Sequence, residues 1–335
     1  MYEAIRRAKR SIYLETYVFR NTVPGLDFIE VIADRARAGV KVVIVLDGFS
    51  VFFSGGEIKK ILTPLGGEVM FFKRWFHRIH RKLLIVDEKI AFIGGVNFGR
   101  RMAGWWDLHA KIEGRFAKSL FRSFAYSYKV CGGKDPHLLA LAKQTSYQKA
   151  RIKMRRAKHR LLEHWPFKGK RALKDYYIQS IRGAKERVMI ATQYFLPHKW
   201  LVRELLMAKK RGIKIEIILP EESDWLIMTL ANIGFVRELH PKGIDFHFTK
   251  TFLHAKVLLI DNHEGMVGTN NIDALSFDFN VEASVIFNRK DMVGDLRKIL
   301  DEWKASAVSF DETIHAARWY IKPFEWFARL FVSVL

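Results

Sequence analysis

A pattern of five residues, His-x-Lys-x4-Asp-x6-Gly-x2-Asn, occurs twice along this 335-residue chain. The first copy is His80, Lys82, Asp87, Gly94 and Asn97; the second is His254, Lys256, Asp261, Gly268 and Asn271. Each pair lies 174 positions apart, so the copies superimpose without a gap. The agreement continues outside the pattern. Ala-Ile-Arg-Arg-Ala-Lys at 4–9 matches Ser-Ile-Arg-Gly-Ala-Lys at 180–185, and each is followed by an apolar run, Ile12 to Phe19 and Val188 to Phe195. A basic stretch then ends at Gly39 or Gly212 and passes into an aliphatic run, Val40 to Leu46 or Ile213 to Leu219. The offset stays between 173 and 176 over about ninety residues.

A chain with this repeat is expected to fold as two similar α/β halves in succession. Glycine ahead of each aliphatic run is the usual helix stop. Near-continuous β-branched runs indicate strands covered on both faces, and strands alternating with helices indicate βαβ units. We therefore expect mixed, mostly parallel sheets flanked by helices, related by a pseudo-twofold axis with the active site between the halves. The divisions are 1–125 and 174–310 for the halves, a basic linker over 126–173, and a tail over 311–335. Hydrophobic residues at 49% and charged residues at 27% fit a globular protein. Residues 174–179 precede the Ser-Ile-Arg of the second half, whereas only three residues precede Ala4, so the opening helix is expected to be short.

A purely structural duplication would explain the repeated apolar runs. It would not explain why His, Lys and Asn, which strands disfavour, recur at one offset. If Lys82–Asp87 and Lys256–Asp261 span strands, His and Lys at i and i+2 project from one face and bring an imidazole and an ammonium together. Two imidazoles, two ammonium groups and the amides of Asn97 and Asn271 are the parts needed to hold a phosphodiester and pass it through a covalent phosphohistidine. Asp87 and Asp261 complete the motif set, placed where each strand leaves the core as hydrogen-bond acceptors. The glycine steps after them allow close backbone approach. A built-in control is His109-Ala110-Lys111: position 116 is Phe where the pattern requires Asp, so this is read as an ordinary strand pair.

On these residues the chain resembles the phospholipase D superfamily and covers both of its His-x-Lys-Asp halves. Within it, several segments resemble bacterial cardiolipin synthases: Leu14-Glu15-Thr16-Tyr17, the stretch from Trp75 to Lys82, Trp106-Asp107-Leu108-His109, and the stretch from Asp273 to Glu282. The resemblance implies phosphatidyl transfer from phosphatidylglycerol, or another phospholipid, to a phosphatidylglycerol hydroxyl. One histidine would be the nucleophile, and its partner first the acid and then the base. Catalytic residues by this reading are His80, Lys82, Asp87, His254, Lys256 and Asp261. Asn97 and Asn271 would bind phosphate, and Asp107 and Glu282, at 20 and 21 positions past the motif aspartates, would orient the histidines. No metal and no cofactor is expected, because the lysines and asparagines supply charge and donors. Glu15 lies on a strand aimed at the site, although its counterpart is Ala191. His77 has no counterpart and reads as a surface residue, while Trp75, Trp105 and Trp106 read as either lipid entrance or core. A strand that the family often carries ahead of the first helix has no counterpart here.

The formal charge of +22 predicts an anionic partner. Residues 151–160 hold six Lys or Arg and no acid, which suits anionic lipid. From Arg318 onward, charges at Arg318, Lys322, Glu325 and Arg329 form one stripe of an otherwise aromatic and aliphatic helix, as in helices lying in a membrane interface. No stretch approaches the ~20 apolar residues of a membrane span, and the opening residues lack a signal peptide's apolar core. The single cysteine, Cys131, excludes an internal disulfide and fits a reducing compartment. The expected partner is an anionic phospholipid membrane with phosphatidylglycerol as substrate, and the expected place is the cytoplasmic face of the cell membrane, peripherally bound. A phospholipase D hydrolase or a nuclease on the same scaffold is the alternative, the charge then serving nucleic acid. A catalytically dead lipid-binding protein is a third reading, opposed by the two intact motifs.

Overall fold

The structure, a computed structural model, describes residues 1–19, 27–52, 55–74, 76–98, 104–144, 159–168 and 172–310. Trp75, most of the basic run 151–160 and the whole tail from 311 lie outside the described residues, and so does the expectation of an interfacial helix there.

The first half runs α1 (Tyr2–Arg6), β1 (Ser11–Thr16), α2 (Phe28–Arg37), β2 (Lys41–Asp47), α3 (Gly55–Leu62), β3 (Glu68–Phe72), β4 (Leu83–Val86), β5 (Ile90–Gly94) and β6 (His109–Glu113). Between the halves come α4 (Ala117–Val130), α5 (Pro136–Lys143) and β7 (His159–His164). The second half repeats the order: α6 (Ala172–Gly183), β8 (Arg187–Ala191), α7 (Lys199–Lys210), β9 (Lys214–Pro220), α8 (Leu226–Leu239), β10 (Asp245–Thr249), β11 (Val257–Ile260), β12 (Glu264–Gly268) and β13 (Glu282–Phe287). It closes with α9 (Lys290–Ala305) and β14 (Val308–Ser309). The first sheet has the order β3-β2-β1-β4-β5-β6 and the second β14-β10-β9-β8-β11-β12-β13-β7.

The sheets are mixed, but antiparallel pairings outnumber parallel ones. Among the strands of the described residues, only β1–β2, β2–β3, β8–β9 and β9–β10 are parallel. Leu83–Val86 and Val257–Ile260 are buried throughout, as strands of a parallel sheet are, yet each joins its successor through a short turn at Asp87 or Asp261. A turn that tight permits only a hairpin. The apolar runs also end earlier than expected, at Thr16 and Ala191. There Thr16 and Thr192 donate to the carbonyls of Val18 and Tyr194, turning the chain before Phe19 and Phe195 bridge Phe98 and Ile272.

Helix ends follow local chemistry. Asp27 caps α2 by accepting from the Ile29 and Glu30 N–H groups. Gly39 and Gly212 end the basic helices at φ 81° and 85°, a left-handed turn that side chains resist. As expected, α1 is short, with 5 residues against 12 in α6.

Stretch 126–173, expected to be a linker, is largely structural. Phe124, Tyr128 and Leu138 of α4 and α5 are buried in the core shared by both sheets, beside Leu83 and Val45 of one half and Val257 and Trp303 of the other. β7 pairs with β13 from His159↔Phe287 to His164↔Glu282 and so extends the second sheet. The basic composition masked this, because the charges of Arg160 and Glu163 are neutralised in pairs with Glu264 and Arg81. Each half has a further core on its outer face, one under α2 and α3, the other under α6 and α7.

Candidate active site

Each motif histidine is pinned by the backbone of the opposite half. Ile79 bridges Val281, and the His80 N–H donates to the Val281 carbonyl at 2.9 Å. Leu253 bridges Trp106, and the His254 N–H donates to the Trp106 carbonyl at 2.8 Å. These segments lie just ahead of β4 and β11, not within them as the spacing predicts, because their edge groups cross to the other half. The next residue after each bridging partner is Glu282 or Asp107, which brings that carboxylate beside the opposite histidine.

The resulting pairs are crossed. His80 Nδ1 lies 3.0 and 3.2 Å from the Glu282 carboxylate oxygens, and His254 Nδ1 lies 2.6 Å from Asp107 Oδ2. An ionised carboxylate only accepts, so each Nδ1 carries the proton and each Nε2 is left with its lone pair. Glu282 is held further by the hydroxyls of Thr269 and Ser276, the latter at 2.8 Å. Asp107 is held by the Leu108 N–H at 2.7 Å. Where the second half has Thr269 the first has Gly95, and a Cβ there would strike the Asp107 carboxylate. The glycines of the motif serve close approach too: a Cβ on Gly94 would meet the Leu108 carbonyl, and one on Gly268 the Ser284 hydroxyl.

Lys82 and Lys256 are buried, and each Nζ donates to the carbonyl of its own motif histidine, at 2.8 Å for Lys82. Lys256's charge acts on His80, and Lys82's on His254, so the four groups form one electrostatic site. Burial lowers both imidazoles, opposed by the carboxylates; with the Lys256 charge added, His254 falls to about 3. Burial likewise lowers Lys82 well below the usual ammonium range and Lys256 to about 8. Burial alone would raise Glu282, but His80, Lys82 and Thr269 bring it down to about 2. Burial also opposes ionisation of Asp107, and His254 outweighs it. At rest, both carboxylates are ionised and both imidazoles neutral. An arriving anion would reverse the push on the histidines and favour protonating one of them.

The remaining expected residues separate into two groups. The side-chain oxygens of Asn97 and Asn271 are buried without a hydrogen-bond partner. Asn271 is tied in through its N–H, which donates to the Ser276 hydroxyl. Asp87 and Asp261, counted with the catalytic set, stand at the opposite ends of β4 and β11 from the histidines. Asp87 accepts from the N–H groups of Lys9, Arg10 and Ser11, and Asp261 from those of Lys185, Glu186 and Arg187. They sit at φ 51° and 52°, which Asp tolerates, and lock the helix-to-strand turn. They are staples of the fold and do not face the site.

Glu15, expected to point into the site, faces the shared core, where Ser127 donates to it and Arg81 lies 3.3 Å away. His77 is partly buried, its Nδ1 2.8 Å from the Phe279 carbonyl of the other half. Trp106 stacks on Trp303 in the core, while Trp105 lies 5.4 Å from the His254 ring. His109-Ala110-Lys111 forms β6, the ordinary strand expected. Sequence reasoning missed three contributors. Thr269 and Ser276 brace Glu282, and Tyr17 packs edge-on to His80 at 5.1 Å with Lys82 over its ring. Thr269 and Ser276 lie inside stretches already singled out, but hydroxyls there carry no pattern of their own.

The sequence model of a family described as "Cardiolipin synthase, PLD-like domain" matches residues 1–117 and 177–303, both halves of the site. The chain belongs to that family. Relatives include a probable cardiolipin synthase of Bacillus subtilis, 27% identical over all of this chain and 69% of that protein. A cardiolipin synthase of Clostridium perfringens is 28% identical over 86% of this chain and 64% of its own length. The chain thus spans about two thirds of the curated family members it matches. Among solved structures, phosphatidylserine synthase of Haemophilus influenzae superimposes with a TM-score of 0.77 at 13% identity, covering 99% of this chain and 92% of that one. Polyphosphate kinase of Porphyromonas gingivalis gives 0.63 at 13% identity, over 93% and 46%. Both share the fold.

Proposed function

We propose that this chain is a cardiolipin synthase that transfers a phosphatidyl group from phosphatidylglycerol, or another phospholipid, to a phosphatidylglycerol hydroxyl through a phosphohistidine. The observation that carries this reading is the crossed pair of imidazole–carboxylate contacts around two buried lysines. Nδ1 of each histidine is engaged, so Nε2 of one attacks phosphorus. An Nε2–P bond forms, the P–O bond to the donor's alcohol breaks, and the other histidine's Nε2–H protonates the leaving oxygen. That second histidine, now neutral, takes the proton of the acceptor hydroxyl; the new O–P bond forms as Nε2–P breaks. Neither imidazole can be nucleophile and acid for the same bond, which is why both half-sites are required. Lys82 and Lys256, with the amides of Asn97 and Asn271, stabilise charge on the non-bridging oxygens from a water-poor setting. Asp107 and Glu282 hold the tautomers and offset the imidazolium that forms.

The protein works, on this reading, at an anionic membrane surface on the cytoplasmic side. No helix among the described residues is long and apolar enough to cross a membrane. The 311–335 segment contributes to holding it there, and its deletion should weaken liposome binding. The test of function is to incubate the protein with phosphatidylglycerol vesicles and, separately, with single-stranded DNA. Cardiolipin that forms with the wild type and with neither His80→Ala nor His254→Ala supports the assignment. DNA cleavage without lipid turnover overturns it, and phosphatidic acid as the sole lipid product makes it a hydrolase.

A further inference from the structure

Large apolar side chains are exposed at seven places among the described residues, and five of them, Phe49, Phe76, Trp225, Leu226 and Leu275, lie in the segments that follow β2, β3, β9 and β12. Each is tied to the site by its neighbours. Asp47 accepts from the N–H groups of both Phe49 and Ile79 at 2.9 Å, and Arg78 lies over the Phe49 ring at 5.3 Å. Phe76 adjoins His77, which reaches across to Phe279. Trp225 and Leu226 follow Asp224, which accepts from Gln193 and Tyr194 and whose charge acts on Lys256. Leu275 precedes Ser276, a brace of Glu282.

Two features make this more than scattered exposure. Helix α8 holds no charged residue from Trp225 to Val236, yet Leu226 is 75% exposed and Ile227, Met228 and Leu230 are only half-buried. A helix apolar on every side is normally covered on every side. Its topological counterpart α3 carries Glu57, Lys59 and Lys60 within eight residues, as a solvated helix should. Second, Phe76 is 79% exposed and sits at φ 61°, a left-handed conformation that costs a non-glycine residue free energy. Beside it, Lys73, Arg74 and Arg78 are exposed and cationic, while Glu221 and Glu222 are exposed beside the α8 end. The rim is thus cationic and apolar on one side, and apolar with exposed acids on the other.

We propose that this rim seats the mouth of the active site on an anionic lipid layer. Trp225, Leu226 and Phe76 enter the boundary between headgroups and acyl chains, and Lys73, Arg74 and Arg78 meet the phosphates. The proposal deepens the phosphatidyl-transfer reading and rests on it for the identity of the surface. The test uses the full chain and the variants Trp225→Ser/Leu226→Ser and Phe76→Gly, the second of which also relieves the backbone. Sedimentation with phosphatidylglycerol/phosphatidylcholine vesicles should show affinity at least about tenfold lower for the double variant. Turnover of vesicle substrate should fall in parallel, while turnover of monomeric short-chain phosphatidylglycerol and the elution volume stay unchanged. Unchanged vesicle affinity overturns the proposal, as does an equal loss on the monomeric lipid. A shift to a smaller oligomer with affinity retained also overturns it, the rim then covering a second copy. If the wild type makes no cardiolipin yet the rim variants still lose vesicle binding, docking stands and the catalytic reading falls.

Discussion

In the second half the residue after the motif histidine is Ala255, and the strand residue beside it is Ala191; in the first half those places hold Arg81 and Glu15. All four are fully buried in the layer between the sheets. The second half fills its share with methyl groups. The first fills it with an ionic network: Arg81 contacts Glu15 at 3.3 Å and Glu163 of β7 at 3.4 Å, donates to Ser123 at 2.5 Å, and lies over the Trp165 ring at 5.5 Å. Burial of such a pair offsets most of its own attraction, so the network adds little net stability. What it adds is direction, because Arg81 adjoins His80 and grips a strand belonging to the other sheet. The halves therefore share their catalytic pattern and differ in what stands behind it.

The difference can be broken at several depths. The largest effect should come where the halves are alike: His80→Ala and His254→Ala should each lower kcat by ~10⁴-fold or more, measured as cardiolipin formed per enzyme, with no phosphoenzyme trapped in whichever variant lacks the nucleophile. Next are the crossed carboxylates. Asp107→Asn and Glu282→Gln should lower kcat by roughly 10²–10⁴-fold with little change in KM, since both act through imidazole tautomer and charge. Thr269→Val reaches only the Glu282–His80 side and should cost about 10-fold. Equal sensitivity of both halves to their braces would blur the comparison.

The stability experiments address the halves where they differ. Arg81→Met leaves two buried carboxylates facing it and should destabilise the fold by about 3–5 kcal/mol in denaturant titrations. Arg81→Ala with Glu15→Ala copies the second half and should recover part of that loss; no recovery would mean the network is not what distinguishes the halves. Last and smallest is a pH effect. Burial raises Glu15 to about 7, with Arg81 and Ser127 opposing. The folded form thus holds a proton more tightly than the unfolded chain, so this contribution is full below about pH 4.5 and declines as pH rises towards 7. Glu15→Gln should flatten that part of the stability profile.

Much of the fold was legible because the motif repeats without a gap and the register around it drifts by only a few positions: one half served as the alignment of the other. The gapless register also made His80, Lys82, His254 and Lys256 stand out as pairs. What it could not carry was partnership across the halves. Counting 20 or 21 residues past each motif aspartate locates Asp107 and Glu282, but the nearest histidine in sequence is not the one each serves. Strand direction was lost for a similar reason, as Leu83–Val86 is equally aliphatic either way round. β7 was hidden by its charges, and Arg81 by occupying a variable position in the motif. The aspartates of the motif read as acceptors where each strand leaves the core, which they are; the resemblance places them with the catalytic residues, because a residue repeated for chemistry and one repeated to hold a turn look the same in sequence.

The crossed contacts also bear on how activity begins and ends. His80 and His254 are aligned by groups that arrive only when the two sheets close on each other, so neither half can hold a prepared imidazole alone. Catalytic readiness is then a property of the seam: a chain caught during synthesis with one half complete would carry an unaligned histidine without its carboxylate partner. Loosening the seam would silence both half-reactions at once, and an enzyme loosened between them would keep the phosphatidyl group on its histidine.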